Sequence, residues 1–182
     1  MDKAANTLLI IIFLIVNQVH AVSLVFSGEL FEAPCMVDPS SLTQTVSFLD
    51  RAARDFWYEP ARSETQEIVI KLNNCNSSAI GKVVQTRFSG VTESAMGSLQ
   101  SYFLSMNSGP QQGKLAIGIL DNDSSTLIQF NGDNTSDGTV VNGKKLTLTF
   151  KAFVQATPES IAQKSVGEGD YASQVRFELF YQ

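Results

Sequence analysis

The sequence predicts an all-β fold, a sandwich of immunoglobulin-like topology. Its first indication is alternation: in residues 67–72, Ile68, Ile70 and Leu72 lie on one face and Glu67, Val69 and Lys71 on the other. Its second is spacing, since such segments are short and are separated by glycine, asparagine, aspartate and serine. Few segments repeat apolar residues every three or four positions, as an amphipathic helix does. Short strands at close intervals are typical of a two-sheet sandwich.

The alternation recurs along the chain, and each recurrence predicts a strand. Residues 83–88 and 115–120 alternate in this way, and the last predicted strand places Val175, Phe177, Leu179 and Tyr181 on one face. Asn142-Gly143 lies between two apolar runs, 139–141 and 146–150, and predicts a tight hairpin. The looser stretches 50–65, 108–113 and 158–169 are predicted loops, with a helical turn in the first and the last.

The N-terminus has the order of residues found in signal peptides. A short charged start leads into the apolar run Leu8 to Val16, and polar residues and Ala21 follow. The run is about nine residues long, far below the roughly 20 that span a bilayer, so cleavage is favoured over a retained anchor. Residues 1–21 are therefore the predicted signal peptide. The remaining 161 residues, from 182 less 21, suit one domain.

The two cysteines, Cys35 and Cys75, are predicted to form one disulfide, because an exported chain enters an oxidising compartment. A zinc site needs more ligands than two cysteines provide. Closing a loop of roughly 40 residues stabilises a fold by about 4 kcal/mol in the chain-entropy model. The pair is thus a structural feature, and we predict no metal and no cofactor.

Composition disfavours catalysis and nucleic-acid binding. The one histidine, His20, lies in the predicted signal peptide, so the remaining chain lacks the imidazole that catalytic triads and hydrolytic zinc sites use. Paired carboxylates remain formally possible, at Asp121 with Asp123 or at Asp133 with Asp137, but the surrounding Asn, Ser and Gly favour turns. Net charge is −5 and no stretch concentrates Lys or Arg. We expect neither a small-molecule substrate nor a nucleic-acid partner.

The segment between the predicted cleavage site and Cys35 alternates cleanly, with Leu24, Phe26, Gly28 and Leu30 on one face. By pattern alone it is the first strand of the sandwich itself. The same pattern also suits an arm that pairs with another molecule. Alternation does not separate these two interpretations.

Several motifs resemble those of chaperone–usher pilins, over the whole chain after the predicted signal peptide. That family shares an alternating arm with a glycine on its buried face, a Pro-Cys pair, a second cysteine closing a strand, a Phe-x-Gly and a last strand with a penultimate tyrosine. The corresponding residues here are Gly28, Pro34-Cys35, Ile70-Lys-Leu-Asn-Asn-Cys75, Phe88-Ser-Gly90, Gly169-Asp-Tyr171 and Phe177-Glu-Leu-Phe-Tyr181-Gln182. Longer stretches resemble the adaptor subunits of that family, at 51–58, 113–121, 156–160 and 164–166.

The resemblance implies an incomplete immunoglobulin-like domain at 34–182 that lacks its seventh, C-terminal strand, preceded by a donor-strand extension at 22–33. Leu24, Phe26 and Leu30 are then expected to enter pockets of the tip-side neighbour, with Gly28 at a close backbone approach. The domain's own acceptor groove is expected to be lined by the first core strand and the last strand, with the terminal carboxylate anchored to a chaperone. The acceptor residues are Val46, Phe48, Val175, Phe177, Leu179, Tyr181 and Gln182.

The implied partners are a periplasmic pilus chaperone, an outer-membrane usher and neighbouring pilins on the tip side and the rod side. The chain is then exported through the periplasm to the fimbrium at the cell surface. An adaptor joining the tip fibrillum to the rod is the favoured function. The alternatives are a major rod subunit or a single-domain, carbohydrate-binding pilin at the tip, for which Phe56-Trp57-Tyr58 is the candidate sugar-stacking platform.

Overall fold

The computed structural model describes residues 34–132 and 136–182, which form a sandwich of two antiparallel sheets. The predicted signal peptide and the predicted donor-strand extension lie outside these residues, so both remain predictions. Within the described residues, no helix is long and apolar enough to cross a membrane. The all-β prediction is confirmed.

The strands are numbered in chain order. They are β1 (Met36–Val37), β2 (Gln66–Asn73), β3 (Val83–Ser89), β4 (Phe103–Ser105), β5 (Leu115–Leu120), β6 (Thr139–Val140), β7 (Leu146–Ala156) and β8 (Arg176–Tyr181). One sheet has the order β1-β2-β7-β5-β4, and the other has the order β6-β3-β8. The helices are α1 (Pro39–Leu42) and α2 (Pro158–Gln163), with 3₁₀ segments at Ala53–Phe56 and Ser94–Tyr102.

The inner faces of the two sheets enclose the main core, as the alternation predicts. On β2, Ile70 and Leu72 are fully buried on either side of exposed Lys71, and on β3 the buried residues are Val84, Thr86 and Phe88. The rings of Phe88 and Phe150 meet edge to face, with centroids 5.1 Å apart, and so join the two sheets. Cys35 and Cys75 form the predicted disulfide at the edge of this core.

Strand β5 is buried on both faces, which its alternation does not reveal. Its inner face meets the main core, while Ala116 and Leu120 pack on the outer side against Met96, Phe103 and Phe153. The 3₁₀ segment Ser94–Tyr102 covers this outer side. A sheet covered on both faces selects apolar residues at every position, and alternation of polarity then disappears.

The predicted hairpin at Asn142-Gly143 is wrong. β6 and β7 belong to different sheets: β6 pairs with β3, whereas β7 pairs with β2 and β5. The connection instead crosses the core, because fully buried Val141 is held by backbone bonds to Gly81 and Lys82, at 2.9 Å each. Lys144 then accepts the backbone N–H of Cys75 at 3.1 Å. Burial of Val141 and these long-range bonds outweigh the local turn preference.

The predicted loops are confirmed, and two of them are locked together. Gln111 is 1% exposed, and its side-chain amide nitrogen donates to the carbonyls of Gly167 and Glu168, at 2.9 and 3.2 Å. Its amide oxygen accepts the N–H of Gly167 at 3.2 Å. The loop at 108–113 therefore holds the chain that leads into β8.

We expect Gly109→Ala to reduce the free energy of unfolding by about 2–4 kcal/mol. Gly109 has φ of +91°, and a Cβ there meets the carbonyl oxygen of Asp170, so both the backbone and the second loop must shift. Gly143→Ala is the matched control, because a Cβ at Gly143 has no neighbour within 4 Å. Urea unfolding measures both. Equal stability of the two variants would contradict the proposed locking of the loops.

Candidate functional site

Strand β8 carries the candidate site because, within the described residues, it is paired along one edge. That edge joins β3, from Val84 opposite Tyr181 to Ser89 opposite Arg176. Reciprocal backbone bonds between Val83 and Gln182, at 2.9 and 3.0 Å, extend the pairing. The second edge of β8 has no ladder partner in the part of the chain that the structure describes. An unpaired edge presents N–H and C=O groups that can bind another strand.

The inner face of β8 is apolar and incompletely covered. Phe177, Leu179 and Tyr181 point into the sandwich and pack against the main core, yet all three remain half-buried. Burial raises the pKa of Tyr181 above its ordinary value. Large apolar side chains in a finished sandwich core are normally buried completely. A further strand, paired with the edge that no described strand occupies, would bury these three side chains.

We assign the opposite rim to residues 43–50, because Phe48 in this segment reaches the same core. Phe48 packs against the same core as the inner face of β8, and its ring centroid is 6.4 Å from that of Tyr171. Burial raises the pKa of Tyr171, and the nearby negative charge of Asp50 raises it further. We call the space between residues 43–50 and β8 the candidate groove.

The rim differs from the prediction in one respect. Val46 and Phe48 were expected on a first core strand, but within the described residues they belong to no β-ladder. A ladder requires a neighbouring strand, and the described strand on the far side of the candidate groove is β8, which does not pair with them.

The remaining predicted acceptor residues lie at the edges of the candidate groove. Val46 is half-buried, and Val175 is 37% exposed beside Gly90, just before β8 begins. Gln182 is exposed and pairs with Val83. The predicted donor residues Leu24, Phe26, Gly28 and Leu30 lie outside the described residues.

Sequence reasoning missed the floor of the candidate groove. Half-buried side chains from the five-stranded sheet pack against the same core as Phe177 and Leu179; they are Val37, Ile68, Ile117 and Leu146. Ile68 and Ile117 lie on the inner faces of β2 and β5, and the alternation around them correctly predicts the two strands. Alternation identifies the inner face, but not which inner positions stay uncovered.

The aromatic triplet at 56–58 does not form a flat platform. Phe56 is buried in a second apolar cluster, and the indole N–H of Trp57 donates to the carbonyl of Val166 at 2.8 Å. Tyr58 is exposed and accepts a bond from the Lys164 ammonium at 2.9 Å. Trp57 therefore joins its loop to the chain after α2, which favours the packing interpretation.

Two of the candidate catalytic carboxylates, Asp121 and Asp123, act as turn acceptors. The buried carboxylate of Asp121 accepts the backbone N–H groups of Asn122 and Asp137, at 2.7 and 2.8 Å. Hydrogen bonds from Ser125 and Thr126 hold the pKa of Asp123 well below its usual range. Asp133 lies outside the described residues, among which no group of three or more His, Cys, Asp or Glu could hold a metal ion.

Comparison with known proteins identifies the family. The sequence model of the family described as "Fimbrial protein" matches residues 24–182. The chain belongs to this family of fimbrial proteins. The predicted fimbrial nature of the chain is thereby confirmed, and the matched region begins at Leu24, the first residue of the predicted donor face.

Two curated relatives match this fimbrial protein over its full length. Protein PrsK of Escherichia coli is 41% identical over 182 residues, which cover 100% of this chain and 99% of the relative. Fimbrial adapter PapK of Escherichia coli is also 41% identical, with the same coverage. The resemblance to adaptor subunits, first seen in short stretches, therefore extends along the whole sequence.

A solved structure supports the fold. The crystal structure of the P pilus rod subunit PapA matches with a TM-score of 0.64 and 23% identity, over 82% of this chain and 100% of that chain. At this identity the match concerns architecture alone. It confirms the immunoglobulin-like pilin sandwich that was predicted.

Proposed function

We propose that this fimbrial protein is a minor, adaptor subunit that joins the tip fibrillum to the pilus rod by donor-strand exchange. Full-length similarity to a fimbrial adapter supports the adaptor position. The observation that carries the strand-exchange mechanism is the half-buried inner face of β8 beside an edge that no described strand pairs. An incoming strand covers the apolar face and forms backbone hydrogen bonds with the edge.

The acceptor half of the mechanism uses the candidate groove. A strand added to β8 completes the three-stranded sheet, and its inward side chains cover the half-buried residues on the rims and the floor. Phe48, Phe177 and Leu179 already pack against the core, so they bind without rearrangement. Preorganisation of this kind lowers the entropy cost of binding.

The donor half uses the N-terminal arm. Leu24, Phe26 and Leu30 enter the groove of the tip-side neighbour, and Gly28 occupies a close backbone approach. Burying three large apolar side chains contributes on the order of 5–8 kcal/mol before ordering costs, at about 1.5–3 kcal/mol each. Backbone pairing adds to this, so the joint is tight and slowly reversed.

Assembly needs protection of the open groove before a neighbour arrives. A periplasmic chaperone that lends a strand, and an outer-membrane usher where the lent strand is exchanged, fill this requirement. An unprotected apolar edge favours aggregation. Cleavage after Ala21 and passage through the periplasm complete the proposed route to the fimbrium.

Removing residues 22–32 tests the donor half. We expect the truncated subunit to bind its chaperone normally but to lose attachment to the tip-side neighbour, because its own groove is intact and its arm is absent. Co-purification of periplasmic complexes measures both interactions. Normal attachment of the truncated subunit would refute donor-strand exchange by this arm.

Point variants provide the matched control. Gly28→Leu is expected to reproduce the deletion, since a large side chain prevents the close approach, whereas Ser27→Ala on the opposite face leaves attachment unchanged. The adaptor position is tested separately by adding the N-terminal peptides of neighbouring subunits to the chaperone complex. Displacement of the chaperone by the rod subunit's peptide supports an adaptor, and its failure contradicts one.

A further inference from the structure

We propose that three exposed apolar residues, Leu49, Val91 and Val175, form a collar that binds the folded domain of the subunit whose arm enters the groove. The proposal rests on the proposed function, because it assigns a second contact to the same joint. The arm and the collar would then hold the donor at two places rather than one. The joint would resist bending as well as separation.

The collar residues are unusually exposed for their type. Val91 is 72% exposed, Leu49 is 61% exposed and Val175 is 37% exposed. Isolated exposed apolar residues are common on protein surfaces, whereas a group at one place marks an interaction site. Whether the three residues form an interaction site therefore depends on whether they lie at one place.

Val91 and Val175 lie at the end of the candidate groove where β8 begins, and Leu49 lies at the end of residues 43–50, beside Ser63 and the first residue of β2, Gln66. Val175 precedes Arg176, and its Cα is 3.8 Å from a Cβ built on Gly90, the residue before Val91. Leu49 follows Phe48, whose ring is near Tyr171. The chain between Tyr171 and Val175 crosses this end of the sandwich, where the Ser173 hydroxyl donates to the carbonyl of Ser105 at 2.6 Å.

The direction of strand addition brings the donor's domain to this end. Every described ladder is antiparallel, including that of β3 with β8, and parallel pairing is slightly less stable per residue. A strand added antiparallel to β8 has its C-terminal end beside Arg176. The donor's domain follows that end of the arm.

The tether between arm and domain is short. In this chain, Leu30 is followed after five residues by Cys35, which the disulfide ties to the domain. Five residues span at most about 17 Å. A donor built on the same plan keeps its domain within that distance of the collar, and proximity strengthens a contact that alone would be weak.

The opposite end of the groove provides the contrast. Ile80 is 49% exposed and Val140 is 43% exposed, and both lie near the end of β8, since Val140 is the ladder partner of Val83. A strand added parallel to β8 would bring the donor's domain to these residues instead. The end of the groove that contacts the donor's domain therefore shows whether the added strand is antiparallel or parallel to β8.

Site-specific photo-crosslinking in assembled fimbriae distinguishes contact at the collar from contact at the opposite end of the groove. A benzophenone side chain is introduced singly at Leu49, Val91, Ile80 or Val46, and cross-linked peptides from purified fimbriae are identified by mass spectrometry. Position 46 lies on the rim of the candidate groove and reports the arm. Positions 49 and 91 report the collar, and position 80 reports the opposite end.

We expect position 46 to capture the donor's arm, positions 49 and 91 to capture peptides that follow the donor's first cysteine, and position 80 to capture neither. Capture of the arm at 46 without capture of the domain at 49 or 91 overturns the collar and leaves the proposed function intact. Capture of the domain at 80 also overturns it. No capture at 46 contradicts donor-strand exchange itself.

Discussion

Leu179→Lys is expected to weaken binding of a donor-strand peptide by at least about 100-fold, close to 2.7 kcal/mol. Leu179 lies in the middle of β8, opposite Thr86, and its side chain is half-buried against the core. The variant loses about 1.5–3 kcal/mol of apolar burial, and the added strand covers an unpaired ammonium group. Before the strand is added, the lysine side chain can extend through the open groove into water, so the subunit keeps its fold.

Peptide titration by fluorescence anisotropy measures this effect, with circular dichroism to check the fold. Glu178→Gln is the matched control, because Glu178 is the preceding residue of the same strand and its side chain is on the opposite, exposed face. We expect the control to bind as the wild type does. A Leu179→Lys subunit of unchanged affinity would show that β8 does not line the acceptor groove.

Replacing both cysteines, Cys35→Ser with Cys75→Ser, is expected to reduce the free energy of unfolding by about 4 kcal/mol. The disulfide joins the start of the domain to the residues just after β2 and lies at the edge of the main core. A loss of this size is a large share of the about 5–15 kcal/mol that stabilises an ordinary domain. Urea unfolding of the subunit with its groove filled by a donor peptide measures the change.

Reduction of the wild-type subunit is the control for the cysteine variant. Reductant should move the unfolding midpoint of the wild type to that of the double variant, and should leave the double variant unchanged. A change in the free energy of unfolding of less than about 1 kcal/mol would mean that loop closure contributes little, because the unfolded chain retains structure around these positions.

Residues on the strands were predicted well, because strand character is a local property. On β3, the inward positions Val84, Thr86 and Phe88 were read correctly from their spacing of two, and all three are buried. The disulfide followed from cysteine count and from predicted export, without any geometry. The inward face of β8 followed from the same alternation, whereas its acceptor role came from the resemblance to pilins and stays a prediction.

The features that were predicted wrongly or missed depend on which distant segment a residue contacts. Asn142-Gly143 carries a strong hairpin signal, yet β6 and β7 lie in different sheets. The floor residues Ile68 and Ile117 look like any inward residues of a sandwich, but they remain half-buried. The Gln111 side chain locks two loops that are 56 residues apart in sequence, and a lone glutamine has no pattern.

The inner apolar face of β8 was determined by the sequence itself, since a period of two assigns side chains to faces whatever lies beside the strand. Whether an edge is paired was decided by the tertiary structure. Pairing depends on which distant segments occupy the neighbouring positions: β3 occupies one side of β8, whereas no strand among the described residues pairs with the other side. The unpaired edge that supports donor-strand exchange is therefore a property of the packed domain.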